Sequence, residues 1–256
     1  MKSTSVPSSQ EQYDQGGGLA YSEMNSVFKT TTQIVDPLIW HVLGDLKGKS
    51  ILDLGCGWGD YLEVMSKSGA KELVGVDISR EMIDCATKRF EPGTVELIVG
   101  DMAAVDLPLI VGENRFDLLL SVWSLYNMET NEQLEQAFKN TYKMLAPGGK
   151  ACFLLCDDHK VVETGLGKII EQEVKEVVKG DWSGPTAIRK LLSKTCEVFD
   201  YWRPYAMHEE AAKKAGYSRV EKVETLFDER GLTAWSSDDW QKIKDGKPMY
   251  AIVASQ

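Results

Sequence analysis

Residues 49–61 carry the sequence KSILDLGCGWGDY, in which a short apolar run is followed by three glycines in alternation. The run KSILDLG from Lys49 to Gly55 is typical of a buried parallel strand, and the glycines from Gly55 onward predict a tight turn into a helix. Glycines let the backbone approach a ligand closely, and the first N–H groups of the helix are free to bind it. The stretch therefore predicts the first βα unit of an α/β fold, with a ligand held at the turn.

Outward from this unit, apolar runs alternate with helical patterns. The spacing predicts helices over residues 35–46, 60–68, 81–90 and 131–145, and further strands over 72–77, 94–100, 115–121 and 150–156. A Pro-Gly-Gly turn at 147–149 closes the last of these helices. Because strands that alternate with helices form parallel sheets, we predict a doubly wound sheet whose ligands bind at the carboxyl ends of its strands.

The two ends of the chain differ from this middle part. Residues 1–18 are rich in Ser, Gln, Pro and Gly and predict a disordered start, with order beginning near residues 13–21. We expect residues 1–20 to form a flexible tail or lid and residues 21–256 to form one domain. In the last hundred residues, the patterns predict helices over 161–178 and 207–215, strands over 193–201, 219–226 and 249–254, and a loop over 179–185.

Composition narrows the class of partner. The 256 residues include 29 basic and 39 acidic side chains, and the net charge of −10 repels the phosphates of nucleic acids. No apolar stretch is long enough to span a membrane, the N-terminus lacks the pattern of a signal peptide, and the five cysteines show no metal-binding spacing. We therefore expect a cytoplasmic protein with no metal centre and with neither nucleic acid nor a membrane as partner.

Acidic residues lie near the carboxyl ends of the predicted strands, where we expect the ligand to bind. Asp53 is beside the glycine turn, where a carboxylate suits a ligand ammonium and repels a pyrophosphate. Asp77 follows Gly55 by about twenty residues and closes the second strand, a position from which a carboxylate accepts both hydroxyls of a ribose. Asp101 closes the third strand and can accept from an adenine amino group, and Met82 can cover one face of a purine.

These residues, with RFDLLLS at 115–121 and LAPGGK at 145–150, resemble the motifs of class I S-adenosylmethionine-dependent methyltransferases. Five motifs follow in the family's order over 49–156, and residues 46–61 and 71–86 are similar to small-molecule enzymes of the toxoflavin-synthase type. The resemblance implies a Rossmann-like, mixed seven-stranded sheet with an antiparallel edge, and S-adenosylmethionine as cofactor. It implies a cofactor site formed by Tyr13, Tyr21, Asp53, Gly55, Cys56, Gly57, Asp77, Ile78, Met82, Asp101, Met102, Ser121, Val122 and Tyr126.

The end of the fourth strand indicates the class of methyl acceptor. Residues 121–126 read SVWSLY and lack the N/D-P-P-Y/F motif of family members that methylate nucleic-acid bases. We expect a small-molecule acceptor under a C-terminal inserted cap formed by residues 158–204. His159, just past the fifth strand, is a candidate general base, with a solvated loop histidine as the alternative. Four aromatic residues are predicted to hold the acceptor: Trp123, Tyr126, Trp202 and Tyr205.

Three other functions stay open on the sequence. A protein or RNA methyltransferase of the same fold would need an added basic face. A nicotinamide-dependent oxidoreductase would need a third glycine at the position of Asp60. A binding protein could keep the cofactor site and transfer nothing. The identity of the acceptor, the atom that is methylated and the oligomeric state are also open.

Overall fold

The computed structural model describes residues 7–14, 30–192, 196–227 and 234–256, and ten strands form two sheets. The strands are β1 Ser50–Leu54, β2 Glu72–Asp77, β3 Glu96–Val99, β4 Phe116–Val122, β5 Leu145–Cys156, β6 Gln172–Lys179, β7 Thr186–Leu192, β8 Cys196–Trp202, β9 Arg219–Glu224 and β10 Met249–Ser255. The larger sheet has the order β3-β2-β1-β4-β5-β10-β9. Its first five strands are parallel, and β10 runs antiparallel to β5 and β9.

Helices connect the parallel strands. The α-helices of the described chain are α1 Ser9–Tyr13, α2 Asp36–Leu43, α3 Asp60–Ser66, α4 Arg80–Thr87, α5 Leu107–Val111, α6 Asn131–Met144, α7 Asp158–Thr164, α8 Tyr205–Ala215 and α9 Ser237–Gly246. Helices α3 to α6 each follow one of the strands β1 to β4, so the predicted α/β fold with its mixed seven-stranded sheet is confirmed. None of the helices in the described ranges is long and apolar enough to cross a membrane.

Burial and register bring the strand ends together. Every residue of β1 is buried, and Leu52 pairs with Val74 of β2 and Leu119 of β4. Because these strands are parallel and flanked by helices, their residues are apolar on both faces. The carboxyl ends of β1, β2 and β4 therefore lie side by side at one edge of the sheet.

The prediction of one helix over 161–178 was wrong. Helix α7 ends at Thr164 because Gly165 adopts a left-handed conformation, with φ of +67°. After a short 3₁₀ turn at Leu166–Lys168, residues 172–179 form β6, which pairs antiparallel with β7. The loop predicted at 179–185 lies between these two strands, but the sequence patterns did not predict β7. Long-range pairing here overrides helix-like apolar spacing.

The segment predicted as a cap, residues 158–204, folds as α7 followed by the smaller sheet, which has the order β6-β7-β8. A buried ion-pair cluster joins the two parts of this segment. Lys190 Nζ on β7 lies 2.9 Å from Asp158 Oδ1 on α7 and 3.1 Å from Asp200 Oδ2 on β8. It also donates to Gln172 Oε1 on β6 at 3.2 Å. The three strands are thereby held against α7.

Smaller differences concern element boundaries. The helix predicted over 35–46 begins with a π-helical turn at Thr31–Val35 and ends at Leu43. The residues of the Pro-Gly-Gly turn at 147–149 lie inside β5, in a stretch where the pairing with β4 shifts register. Within the segment predicted as a flexible tail, residues 9–13 form α1.

Candidate functional site

A cavity of about 270 Å³ lies at the carboxyl ends of the parallel strands, as predicted for a doubly wound sheet. It is bounded by the ends of β1 to β4 and by residues of α1 and β8. The predicted site residues that line it are Tyr13, Gly55, Gly57, Asp77, Ile78, Met82, Asp101, Met102, Val122 and Trp123.

The glycine turn forms one wall of the cavity. The backbone N–H groups of Gly55 and Cys56 both donate to Val76 O, at 2.7 and 3.0 Å, and fasten the turn to β2. Gly55 has a φ of +81°, and a Cβ added there would lie 2.0 Å from Ser124 Oγ. Gly57 has a φ of +54°, and a Cβ there would meet no atom within 4 Å, so its backbone borders open space. The turn is thus a cradle into which a ligand fits.

Asp77 lies beside this cradle. Its Oδ2 accepts from Gly57 N at 2.8 Å, and its Oδ1 accepts from Ser79 N at 2.9 Å. Burial raises the pKa of Asp77, and the negative charge of Asp14 adds to that effect, whereas the backbone N–H groups oppose it. Each carboxylate oxygen has a second lone pair, so the side chain can accept two ligand hydroxyls as well.

The end of β3 forms the neighbouring wall. Asp101 Oδ1 accepts from Ala103 N at 2.8 Å. The buried Asn140 side chain on α6 donates to the carbonyl oxygens of Met102 and Ala104, at 2.8 and 2.7 Å, and so fixes the following turn. The side chains of Met82 and Met102 are both nearly buried and line the cavity, where they can contact a flat ring.

Four predicted cofactor residues are buried and do not line the cavity: Asp53, Cys56, Ser121 and Tyr126. Asp53 is 2% exposed, and its Oδ2 has no hydrogen-bond partner within the described ranges. Burial raises the pKa of Asp53 to about 8, and the charges of Asp77 and Asp60 contribute. Burial likewise raises the pKa of the Cys56 thiol. Tyr21 lies outside the described residues.

Comparison with known proteins places this arrangement in a family. Residues 51–149 match the sequence profile of a family described as "Methyltransferase domain". The chain is 36% identical over 107 residues to protein arginine N-methyltransferase 1 of Dictyostelium discoideum, covering 40% of this chain and 30% of that protein. It is 31% identical over 109 residues to a ubiquinone biosynthesis O-methyltransferase of Coxiella burnetii, covering 42% and 44%. The chain thus spans less than half the length of either relative.

A solved structure shows the same fold. The crystal structure of an S-adenosylmethionine-dependent methyltransferase from Mesorhizobium loti has a TM-score of 0.64 at 20% identity, and covers 86% of this chain and 96% of that one. Residues 51–149 thus form a methyltransferase domain, and the fold is that of S-adenosylmethionine-dependent methyltransferases. The resemblance inferred from the motifs is confirmed, and with it S-adenosylmethionine as the cofactor of this family.

Beyond β4, the methyltransferase domain presents Trp123 to the cavity. Trp123 has a φ of +61°, which is unusual for a bulky side chain and marks a strained position. Its backbone N–H donates to Leu154 O at 3.2 Å, and its ring stacks on Tyr126 with centroids 6.4 Å apart. Tyr126 is buried and donates its hydroxyl to Cys156 O at 2.7 Å. Tyr126 therefore supports Trp123, and the prediction that it lines the site is corrected.

The other predicted acceptor residues lie elsewhere. His159 stacks on Trp182 with ring centroids 5.1 Å apart, and Trp202 lies edge-on to both rings. Tyr205 packs edge-on against Tyr250 of β10, at 6.1 Å. None of these side chains lines the cavity. The position of His159 gives no support to its proposed role as general base, and the aromatic prediction is corrected for Trp202 and Tyr205.

Strand alternation explains why Trp202 is absent from the cavity. Successive side chains of a strand point to opposite faces. On β8, Tyr201 lines the cavity and its neighbour Trp202 is buried on the other side. The aromatic side chain of β8 that lines the cavity is therefore Tyr201, the neighbour of the predicted Trp202.

Helix α1 contributes residues that the sequence analysis missed. Pro7, Ser8, Ser9 and Gln10 line the cavity together with Tyr13. A capping box starts the helix, with Ser8 and Glu11 each accepting from the other's backbone N–H. The sequence SSQE at 8–11 carries this signal.

Three hydrogen bonds hold α1 and the residue after it across the site. Ser9 Oγ donates to Asn127 O at 3.0 Å, Phe199 N on β8 donates to Gln12 Oε1 at 2.6 Å, and Ser79 Oγ donates to Asp14 Oδ1 at 2.7 Å.

The remaining wall is polar. Asn127, Met128, Glu129 and Gln133 line it, from the turn after β4 and the start of α6. Gln133 is engaged in the capping box of α6, where its side chain accepts from Thr130 N at 3.0 Å. Within the described ranges, no three His, Cys, Asp or Glu side chains are grouped to hold a metal ion.

Proposed function

We propose that this protein transfers the methyl group of S-adenosylmethionine to a small-molecule acceptor. The observation that carries the proposal is the single cavity that joins the cofactor residues of β1 to β3 to Trp123 and Tyr201. A cofactor and an acceptor can meet there without leaving the protein, which is the main requirement of a transfer between bound molecules.

The residues present fit the cofactor. The backbone of Gly55 and Gly57 would hold its methionine end, and Asp77 would accept the ribose hydroxyls. Asp101 would accept from the adenine amino group, between Met82 and Met102 as apolar contacts. When bound, the cofactor supplies a methyl group already activated by a positive sulfur. The chain's own contribution is to orient the acceptor and exclude water.

Two features support a small acceptor over a macromolecule. Residues of α1 line the cavity in addition to the strand ends, which limits the space for an acceptor, and the net charge of −10 disfavours nucleic acid. The two relatives differ in acceptor, so they do not decide the class. A nicotinamide cofactor has less support, because Asp60 occupies the position of the third glycine and pairs with Arg89 at 2.8 Å. Because the five cysteines are unpaired, we extend the proposal to a protein of the cytosol. We also propose that it has no membrane partner.

The cofactor half of the proposal is tested by Asp77→Asn. We expect calorimetry to show that S-adenosylhomocysteine binds about 2 kcal/mol, or thirtyfold, more weakly, because the ribose hydroxyls lose a charged acceptor. Asp84→Asn, an exposed change on α4, is the matched control and should leave the affinity unchanged. Equal affinity in both variants would contradict the cofactor assignment.

The acceptor half is tested with methyl-labelled S-adenosylmethionine and a cell extract separated by size. Label that accumulates in the small-molecule fraction supports the proposal. Label that accumulates in protein or RNA would instead support a methyltransferase that acts on a macromolecule. Absence of transfer despite tight cofactor binding would indicate a protein that only binds the cofactor.

A further inference from the structure

The cavity has a one-sided charge distribution. Its charged lining residues are Asp77, Asp101 and Glu129, and no Lys, Arg or His is among the described residues that line it. An anion that enters such a space loses hydration and gains no positively charged side chain as a partner, so its transfer from water is unfavourable. Phosphate and carboxylate groups are therefore poor candidates for the part of the acceptor that lies inside.

Two of the three carboxylates already have a role in the proposed cofactor site, and Glu129 does not. It follows the 3₁₀ turn at Leu125–Asn127 and is exposed at the cavity wall. Tyr201 is half-buried on β8 and lines the same cavity as Glu129. Its pKa is raised by burial and by the negative charge of Glu129. The Tyr201 hydroxyl makes no hydrogen bond to another described residue, so it is available to a ligand.

The rest of this half of the cavity is aromatic or neutral. Trp123 provides an indole ring and Tyr201 a phenol ring, and both attract cations through their faces. We propose that the acceptor is an amine, which binds as an ammonium ion between Glu129, Tyr201 and Trp123. This inference rests on the proposed function and specifies the substrate class of the same site.

Arg203 places a positive charge near this site, but it does not line the cavity. Its guanidinium is buried, with Nε donating to Asn131 Oδ1 at 3.1 Å and Nη1 donating to Tyr201 O at 3.3 Å. Burial lowers its pKa to about 10. Arg203 thus holds the backbone behind Tyr201, and Glu129 supplies the charge on the acceptor side.

Methylation of an ammonium ion first requires loss of a proton. Glu129 accepts that proton and, being exposed, releases it to solvent. The freed lone pair on nitrogen forms the N–CH₃ bond as the C–S bond breaks, and the electron pair of that bond stays on sulfur. The net change is one N-methylated ammonium ion, one neutral thioether and one proton released to solvent.

Matched probes test the recognition step. The full chain is saturated with S-adenosylhomocysteine and titrated with 2-phenylethylamine or phenylacetate, which share a ring and differ in charge. We expect the amine to bind more tightly, and Glu129→Gln to weaken its binding about tenfold without weakening phenylacetate. Glu113→Gln removes the same charge at an exposed position outside the cavity and should leave amine binding within about twofold. Tyr201→Phe should also weaken the amine.

Two binding results would overturn the inference: tighter binding of phenylacetate than of the amine, or equal effects of Glu129→Gln and Glu113→Gln. A turnover measurement separates this inference from the proposed function. Labelled small-molecule product that is retained on a cation exchanger at pH 7 supports an amine. Labelled product that is neutral or anionic overturns the amine and leaves the proposed function intact. Absence of any labelled small molecule contradicts both.

Discussion

At the scale of single residues, the buried carboxyl group of Asp53 destabilises the folded protein when it is ionised. The side chain is buried in β1, and its pKa is raised to about 8 by burial and by neighbouring carboxylates. In the unfolded chain the same group titrates near its ordinary value of 3.8. Between about pH 4 and pH 8 the folded protein therefore holds a proton that the unfolded chain has lost, and the free energy of unfolding falls as the pH rises through this window.

Asp53→Asn should remove that pH dependence. We expect the variant to be more stable than the parent by about 1–3 kcal/mol at pH 8.5, and to show no such gain below about pH 5. Urea unfolding of both proteins without cofactor, over a series of pH values, measures the difference. Stability profiles that run parallel over the whole range would show that Asp53 titrates normally.

At the scale of elements, α1 is a short helix that depends on its cap. Ser8→Ala removes the side chain that accepts from Glu11 N and should destabilise α1 by about 1 kcal/mol. Because α1 borders the cavity, we expect S-adenosylhomocysteine to dissociate about fivefold faster, as measured by stopped-flow tryptophan fluorescence. Ser236→Ala removes the corresponding cap from α9, away from the cavity, and is the control. Equal dissociation rates in the two variants would contradict a role for α1 in retaining the ligand.

Replacing two adjacent residues of β8 should affect different properties, namely stability at Trp202 and acceptor binding at Tyr201. Trp202→Ala leaves a hole beside His159 and Trp182 and should lower the free energy of unfolding by about 3–5 kcal/mol. Tyr201→Ala should cost less stability, because Tyr201 is only half-buried, and should raise the acceptor KM. Urea unfolding and steady-state kinetics on both variants test this contrast. A larger KM effect for Trp202→Ala than for Tyr201→Ala would reverse our assignment of the two faces.

At the scale of the whole molecule, the Lys190 cluster attaches the smaller sheet to α7. Lys190 is 2% exposed and Asp158 is fully buried, so removal of the lysine leaves buried carboxylates without their cation. We expect Lys190→Met to lower the free energy of unfolding by about 3–5 kcal/mol. Lys175→Met, which removes a partly exposed lysine from the same sheet, should cost less than about 1 kcal/mol.

A triple variant tests whether unpaired charge causes this loss of stability. It combines Lys190→Met with Asp158→Asn and Asp200→Asn. Removing the two carboxylate charges should restore a large part of the lost stability, because no buried charge then lacks a partner. Urea unfolding of the three proteins measures the recovery. If the triple variant is no more stable than Lys190→Met, lost packing and not uncompensated charge causes the destabilisation.

The half of the cavity that we assign to the cofactor could be predicted from local sequence. Gly55, Gly57, Asp77 and Asp101 lie within a few residues of a strand end, and in parallel βα units the strand ends share one edge, so local spacing is sufficient to bring them together. The half that we propose for the acceptor could not be predicted in this way. The pairing of β6 with β7, and the face of β8 that carries Tyr201, depend on hydrogen bonds between distant segments. A shift of one residue in such a strand exchanges the two faces, and for that reason the sequence pointed to Trp202 where the structure places Tyr201.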